Sequence, residues 1–83
     1  MPNITEEKIS NDLIVFVKDN IVDKTVDLMP DTLLKSIGVD SFSVIELVLF
    51  LERKYNIQLK EKDMLAENFM SIQALSKCAI RYI

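Results

Sequence analysis

Large apolar residues recur at helical spacing along this chain, and strand-like alternation is scarce. Ile9, Leu13, Phe16 and Val17 share one face, with Ile21 beyond them, while Lys8, Asn11, Asp12, Lys18 and Asp19 take the wet side. Thr5-Glu6-Glu7 opens this stretch with a capping hydroxyl and two acids in the first turn, where they complement the helix dipole. The pattern predicts a first helix over 5–20. Val44, Leu47, Val48, Leu51 and Tyr55 form the next stripe and predict a second helix over 41–55. Its other side carries Glu46 and Arg53, flanked by Ile45, Leu49 and Phe50. A helix apolar nearly all round needs a second cover. That cover is either the remaining helices or a visiting protein.

After a short extended connector at 56–59, residues 60–67 predict a third helix of one or two turns. Asn68-Phe69-Met70 breaks it, and Ser71 caps a last helix whose buried stripe is Ile72, Leu75, Ala79 and Tyr82 or Ile83. Residues 22–38 form a long connection between the first two helices. Met29-Pro30-Asp31 marks a turn within it, because the residue before a proline avoids helix. Val26, Leu28, Leu33, Leu34 and Ile37 are expected to pin it to the core. A loop of this length in a small domain is unusual unless it is functional. The predicted architecture is all-α, a four-helix bundle formed as one domain over 1–83, with a long first loop and a short third helix.

Composition narrows the function. Hydrophobic residues make up 49% of the chain, too many for a disordered one, and one Gly and two Pro favour helices. The net charge of −3 gives no general drive toward nucleic acid. Histidine is absent, which removes the usual catalytic base and the commonest metal ligand. Cys78 is the one cysteine, so no internal disulfide forms, and its apolar setting reads as core or boundary. Without a phosphate-cradling glycine loop either, no nucleophile–base pair assembles from the usual parts. No catalytic residue and no metal site are therefore expected. Glu6-Glu7 and Glu61/Asp63 read as solvated helix faces and termini. Met1-Pro2-Asn3 leads into an acidic segment without a basic leader, and no apolar run reaches the roughly 20 residues a membrane helix needs. A cytoplasmic protein is expected.

The candidate chemistry lies at Gly38-Val39-Asp40-Ser41-Phe42, just ahead of the second apolar stripe. Ser41 offers a hydroxyl at a helix mouth, where unpaired N–H groups and the positive dipole end favour an anion. Gly38 permits a tight approach from the loop, and Asp40 places an acid beside the hydroxyl. A plainer reading stands next to this one. Asp40 or Ser41 serves as an ordinary N-cap, or Ser43 and Glu46 form a capping box.

Gly38-Val39-Asp40-Ser41 and Val44-Ile45-Glu46-Leu47 resemble the phosphopantetheine attachment site of acyl and peptidyl carrier proteins. Tyr55-Asn56-Ile57 is similar to that family's helix-two ending, and 72–83 to its closing helix. The resemblance implies that Ser41 carries 4′-phosphopantetheine, taken from coenzyme A by a phosphopantetheinyl transferase, with Asp40 and Gly38 shaping the site. The thiol of the arm, not Cys78, would hold an acyl or aminoacyl group as a thioester. Implied partners are the transferase, an acyl- or aminoacyl-loading ligase and acyl-accepting enzymes. They would dock on Phe42, Ile45 and Leu49 for apolar contact and on Glu46 and Glu52 for charge. A long acyl chain would slip between the helices along Val44, Leu47, Leu51 and Ile72. A monomer is expected.

The sequence departs from the fatty-acid-synthase type in two ways. Phe42 and Ser43 replace the usual leucine and acid, and Arg53 and Lys54 replace acids at the end of helix two. Charge complementarity governs partner choice, so these changes point to a dedicated carrier of specialised fatty-acid or polyketide chemistry. One alternative is a D-alanyl or other aminoacyl carrier of cell-wall or nonribosomal-peptide type. Another, of a different class, is an unmodified helical interaction module.

Overall fold

Each helix begins where a short polar side chain caps it. A computed structural model describes residues 3–83; Met1 and Pro2, part of the opening read above, lie outside the described residues. Helix α1 spans Glu6–Asn20, α2 spans Ser41–Tyr55 and α3 spans Ile72–Ile80. The caps are Thr5, Asp40 and Ser71, whose side-chain oxygens accept from the backbone N–H of Lys8, Ser43 and Ala74 at 3.1, 2.8 and 3.0 Å. Helix α2 stops at Asn56, which takes the left-handed conformation (φ 54°) that asparagine tolerates at a helix end.

The core forms where the three stripes meet. Ile9, Leu13 and Val17 come from α1, Leu47, Val48 and Leu51 from α2, and Ile72, Leu75, Cys78 and Ala79 from α3. Leu28, Leu34, Val39 and Leu59 close it from the connections. Helix α1 packs more extensively on α3 than on α2. Small residues on α3 allow this approach, and a buried hydroxyl pair fixes it. Ser10 donates to Ser76 Oγ at 2.8 Å, and Ser76 donates to the Ile72 carbonyl at 2.8 Å. Both hydroxyls are thereby satisfied in the interior.

A second polar link ties α1 to α2. The Tyr55 hydroxyl donates to the Asp12 carboxylate, which also takes Lys8 Nζ at 3.1 Å. Burial pushes the Asp12 carboxyl up, but the hydrogen bonds from Tyr55 and Lys8 outweigh it and hold the group below its ordinary range. Tyr55→Phe is expected to cost roughly 1 kcal/mol, below the usual range for a charged hydrogen bond because the pair is partly solvated. It should also let Asp12 rise toward the ordinary carboxylate range. Urea unfolding and an NMR titration of Asp12 check both effects.

Several expectations need correction, among them the closing stripe, since α3 ends at Ile80 and Ile83 beyond it is 50% exposed. Residues 60–67 do not form a helix, so the described residues contain three α-helices rather than four. The segment instead makes two 3-10 turns, Glu61–Asp63 and Ala66–Asn68, with Met64 (φ −80°, ψ 60°) and an extended Leu65 between them. None of residues 60–68 is buried. A helix this short lacks the packed face that offsets nucleation. Leu33, expected to pin the first connection, turns outward and is 53% exposed. Leu28 and Leu34 hold the connection instead, with Val26 and Ile37 half-buried.

The connection is less irregular than its sequence suggests. Leu34–Ile37 makes a 3-10 turn, and Leu33 bridges Ser71 in antiparallel fashion. The Met29–Thr32 turn closes as read, with Thr32 N–H donating to the Met29 carbonyl at 3.1 Å. Pro30 then accepts from Gln73 N–H at 2.7 Å, stitching the turn to the start of α3.

Candidate functional site

The approach to α2 is built residue by residue. The 3-10 turn ends at Gly38, left-handed at φ 86°, and a Cβ there would meet nothing within 4 Å. Glycine is therefore favoured here by backbone angle, not by space. Val39 follows as an anchor, 4% exposed, its N–H donating to the Leu34 carbonyl at 3.1 Å. Asp40 then extends and caps the helix through Oδ1. Ser41 is the first helical residue and is exposed.

This geometry separates the two roles that the sequence left open. Asp40 makes the cap, and the Ser41 hydroxyl stays outside that hydrogen bond. Ser43 lies within the first turn as donor to Asp40, so Ser43 and Glu46 do not form the alternative capping box. Hydrogen bonds centred on the Ser43 N–H hold the Asp40 carboxyl below its usual range. The cap therefore adds stability that is complete above the unfolded pKa. It declines as pH falls below about 4 and is gone once pH has passed below the lowered folded value. Asp40→Asn should flatten that part of the stability–pH curve, which urea midpoints between pH 2 and 6, taken at roughly 0.5-unit steps, would show.

A groove of about 910 Å³ opens beside Ser41. Leu33, Lys35, Gly38 and Val39 line it from the connection, Val44 from α2, and Ala66, Glu67, Phe69 and Met70 from the segment opposite. Leu47, Leu51 and Ile72, expected to line a channel between the helices, are fully buried in the core. Of that expected set Val44 alone borders the groove, which lies outside the bundle. Leu33, Phe69 and Met70 escaped the sequence reading as lining residues. Their meeting depends on the Leu33–Ser71 bridge, a contact with no local signal.

The outer side of α2 is left uncovered by α1 and α3. Phe42 is 73% exposed, Ile45 58% and Leu49 43%, with Glu46 also exposed between them. Glu52 does not belong with this set. It is half-buried, and its Oε2 accepts from Leu59 N–H at 3.0 Å, so it holds the connector after α2. Phe50 also leaves the outer face, stacking on Phe16 with ring centroids 4.4 Å apart.

The family model described as phosphopantetheine attachment site matches residues 20–79. The chain belongs to that family. As a carrier protein it takes a covalently attached 4′-phosphopantetheine and is itself non-catalytic. An acyl carrier protein of Campylobacter lari is 34% identical over 59 residues, covering 71% of this chain and 74% of that protein. Aminoacyl carrier protein 2 of Bradyrhizobium diazoefficiens is 27% identical over 59 residues, 71% of this chain and 66% of the relative. The fold is shared with a chain in the crystal structure of Bradyrhizobium japonicum glycine:carrier protein ligase complexed with glycylated carrier protein. There the TM-score is 0.71 at 20% identity, over 88% of this carrier and 96% of that chain. The exposed Ser41 hydroxyl and the open groove beside it leave room for the prosthetic group. Among the described residues, no helix of this carrier is long and apolar enough to cross a membrane.

Proposed function

We propose that Ser41 is the attachment residue and that the protein carries an acyl or aminoacyl group in a dedicated pathway. One observation carries the assignment: Ser41 is exposed at the first position of α2, and Asp40 already supplies the cap. Ser41 Oγ takes the phosphopantetheinyl group from coenzyme A, with adenosine 3′,5′-bisphosphate leaving. The first-turn N–H groups of α2 and the positive end of its dipole then face a phosphodiester. Gly38 and Asp40 keep this turn in place. The bound arm supplies a thiol on which cargo rides as a thioester.

Partners meet the carrier on Phe42, Ile45 and Leu49, with Glu46 as the charged contact. Helix α2 has no acid in its first turn and ends in Arg53 and Lys54, which supports a partner set other than that of an acidic fatty-acid carrier. A phosphopantetheinyl transferase installs the arm, a ligase loads the cargo and an accepting enzyme removes it. The reading is of a cytoplasmic monomer. The aminoacyl version is favoured by the fold neighbour, which was crystallised glycylated with its ligase.

The test is an intact mass after incubation with coenzyme A and a promiscuous phosphopantetheinyl transferase, followed by fragmentation. A gain of one phosphopantetheine mapped to Ser41 is expected. No gain at Ser41, with the transferase active on a control carrier, would overturn the assignment of the attachment residue. Offering the modified protein glycine, ATP and the Bradyrhizobium japonicum ligase then asks whether a glycyl thioester forms.

A further inference from the structure

The groove beside Ser41 is apolar along most of its wall, but it is not uncharged. Lys35 lines it from the first connection, Asp40 from the approach to α2 and Glu67 from the segment opposite. Lys35 is the single cation among these lining residues. It is exposed, and no carboxylate among the described residues pairs with it; the described ion pairs belong to Lys8, Lys24 and Arg81.

The root of this lysine is fixed while its head is free. Leu34, 1% exposed, seats the 3-10 turn in the core, and the Lys35 carbonyl accepts from Gly38 N–H at 3.3 Å. The ammonium swings on a flexible four-carbon stem and presents three donors without a set direction. Such a head meets a phosphate as a point charge.

Attachment of the arm changes the charge of this site. A phosphodiester on Ser41 places an anion next to the Asp40 carboxylate, in a groove that already holds Glu67. Helix α2 brings no cation to its first turn, since Arg53 and Lys54 stand in its last. Its first N–H groups take part of the new charge. Lys35 is the side chain placed to take the rest.

We propose that Lys35 is a positioning residue for the prosthetic group: its ammonium pairs with the phosphodiester on Ser41 and lays the arm along the groove. Resting there, the arm stays off Phe42, Ile45 and Leu49, none of which lines the groove, so the outer side of α2 is clear when a partner arrives. This placement rests on Ser41 being the attachment residue and adds the direction in which the arm leaves it.

The test uses the full chain carrying the arm with its thiol free. Intact mass and fragmentation first locate the arm in each variant. NMR then follows the two methyl groups that pantetheine carries near its phosphate. In the parent protein these methyls should show nuclear Overhauser contacts with Val44, Ala66 or Phe69. Lys35→Gln should weaken the contacts about threefold, the scale of an exposed ion pair, and about 1 M salt should do the same in the parent protein. Lys35→Arg should keep them. Unmodified Lys35→Gln should keep the parent amide shifts outside 33–38, which a merely structural role would not allow. With the arm on Ser41, contacts that are missing in the parent, or that persist in Lys35→Gln or in salt, overturn the proposal and leave the attachment site standing. Equal loss in Lys35→Arg overturns it too, because charge is then not the cause. An arm found on another residue overturns the attachment reading, and the role of Lys35 falls with it. The salt series needs no variant, so it decides the matter even if Lys35→Gln fails to fold.

Discussion

Ser41→Ala will fold like the parent protein and accept no phosphopantetheine. The two halves of that result come from different atoms. The cap of α2 belongs to Asp40 Oδ1, so deleting the Ser41 hydroxyl removes no capping hydrogen bond. Ser41 is exposed, and alanine is the best helix former, so stability should stay within about 0.5 kcal/mol. The hydroxyl is nevertheless the proposed acceptor, and the neighbouring serines are poorly placed to replace it. Ser43 is half-buried, and Ser36 donates to the Leu33 carbonyl at 2.6 Å. Intact mass after treatment with coenzyme A and the transferase, beside a urea unfolding curve, reads both halves. A variant that folds and still gains the arm would move the site away from Ser41.

The largest effect on stability will come from the opposite face of the same helix. Leu47 and Leu51 have no exposed surface and stand where α2 meets the other helices. Truncating either to alanine is expected to cost roughly 2–5 kcal/mol, from lost transfer energy and the cavity left behind. Small domains have only about 5–15 kcal/mol in total, so either variant should be largely unfolded or melt far earlier. Leu49→Ala changes the same residue type two positions along, on a side chain 43% exposed. It should shift stability by no more than about 0.5 kcal/mol. Urea midpoints for the three variants provide the comparison. A larger loss from Leu49→Ala than from Leu47→Ala would mean that the inner and outer faces of α2 are assigned the wrong way round.

The sequence pattern carried the three α-helices because each has a repeating apolar stripe and a capping side chain, and both are local features. Thr5 and Ser71 cap as read, and Cys78 is buried as its apolar setting suggested. The turn into α2 was equally legible, since the left-handed Gly38 and the Asp40 cap act through neighbours in the chain. What the pattern missed depends on distant partners. Propensity favoured a helix at 60–67, but no buried face rewards one, and the segment lies in turns fastened through Asp63 and Tyr82. Leu33 looked like a core residue because it is apolar, but its bridge to Ser71 turns it toward the groove. Glu52 looked free because acids on α2 were all read as outward-facing, and only the fold brings the Leu59 N–H to it.

The burial of Cys78 has a practical consequence for handling this carrier. At 1% exposure its sulfur is shielded from solvent, so an alkylating reagent meets almost no reactive sulfur on the folded polypeptide. Brief maleimide treatment of the native protein would then tag the tip of the prosthetic arm and little else. It would act as a fast stain for the fraction carrying an uncharged arm. The same shielding keeps the polypeptide's own sulfur from attacking a thioester in transit, so a charged carrier would not discharge itself by acyl transfer to the chain that holds it.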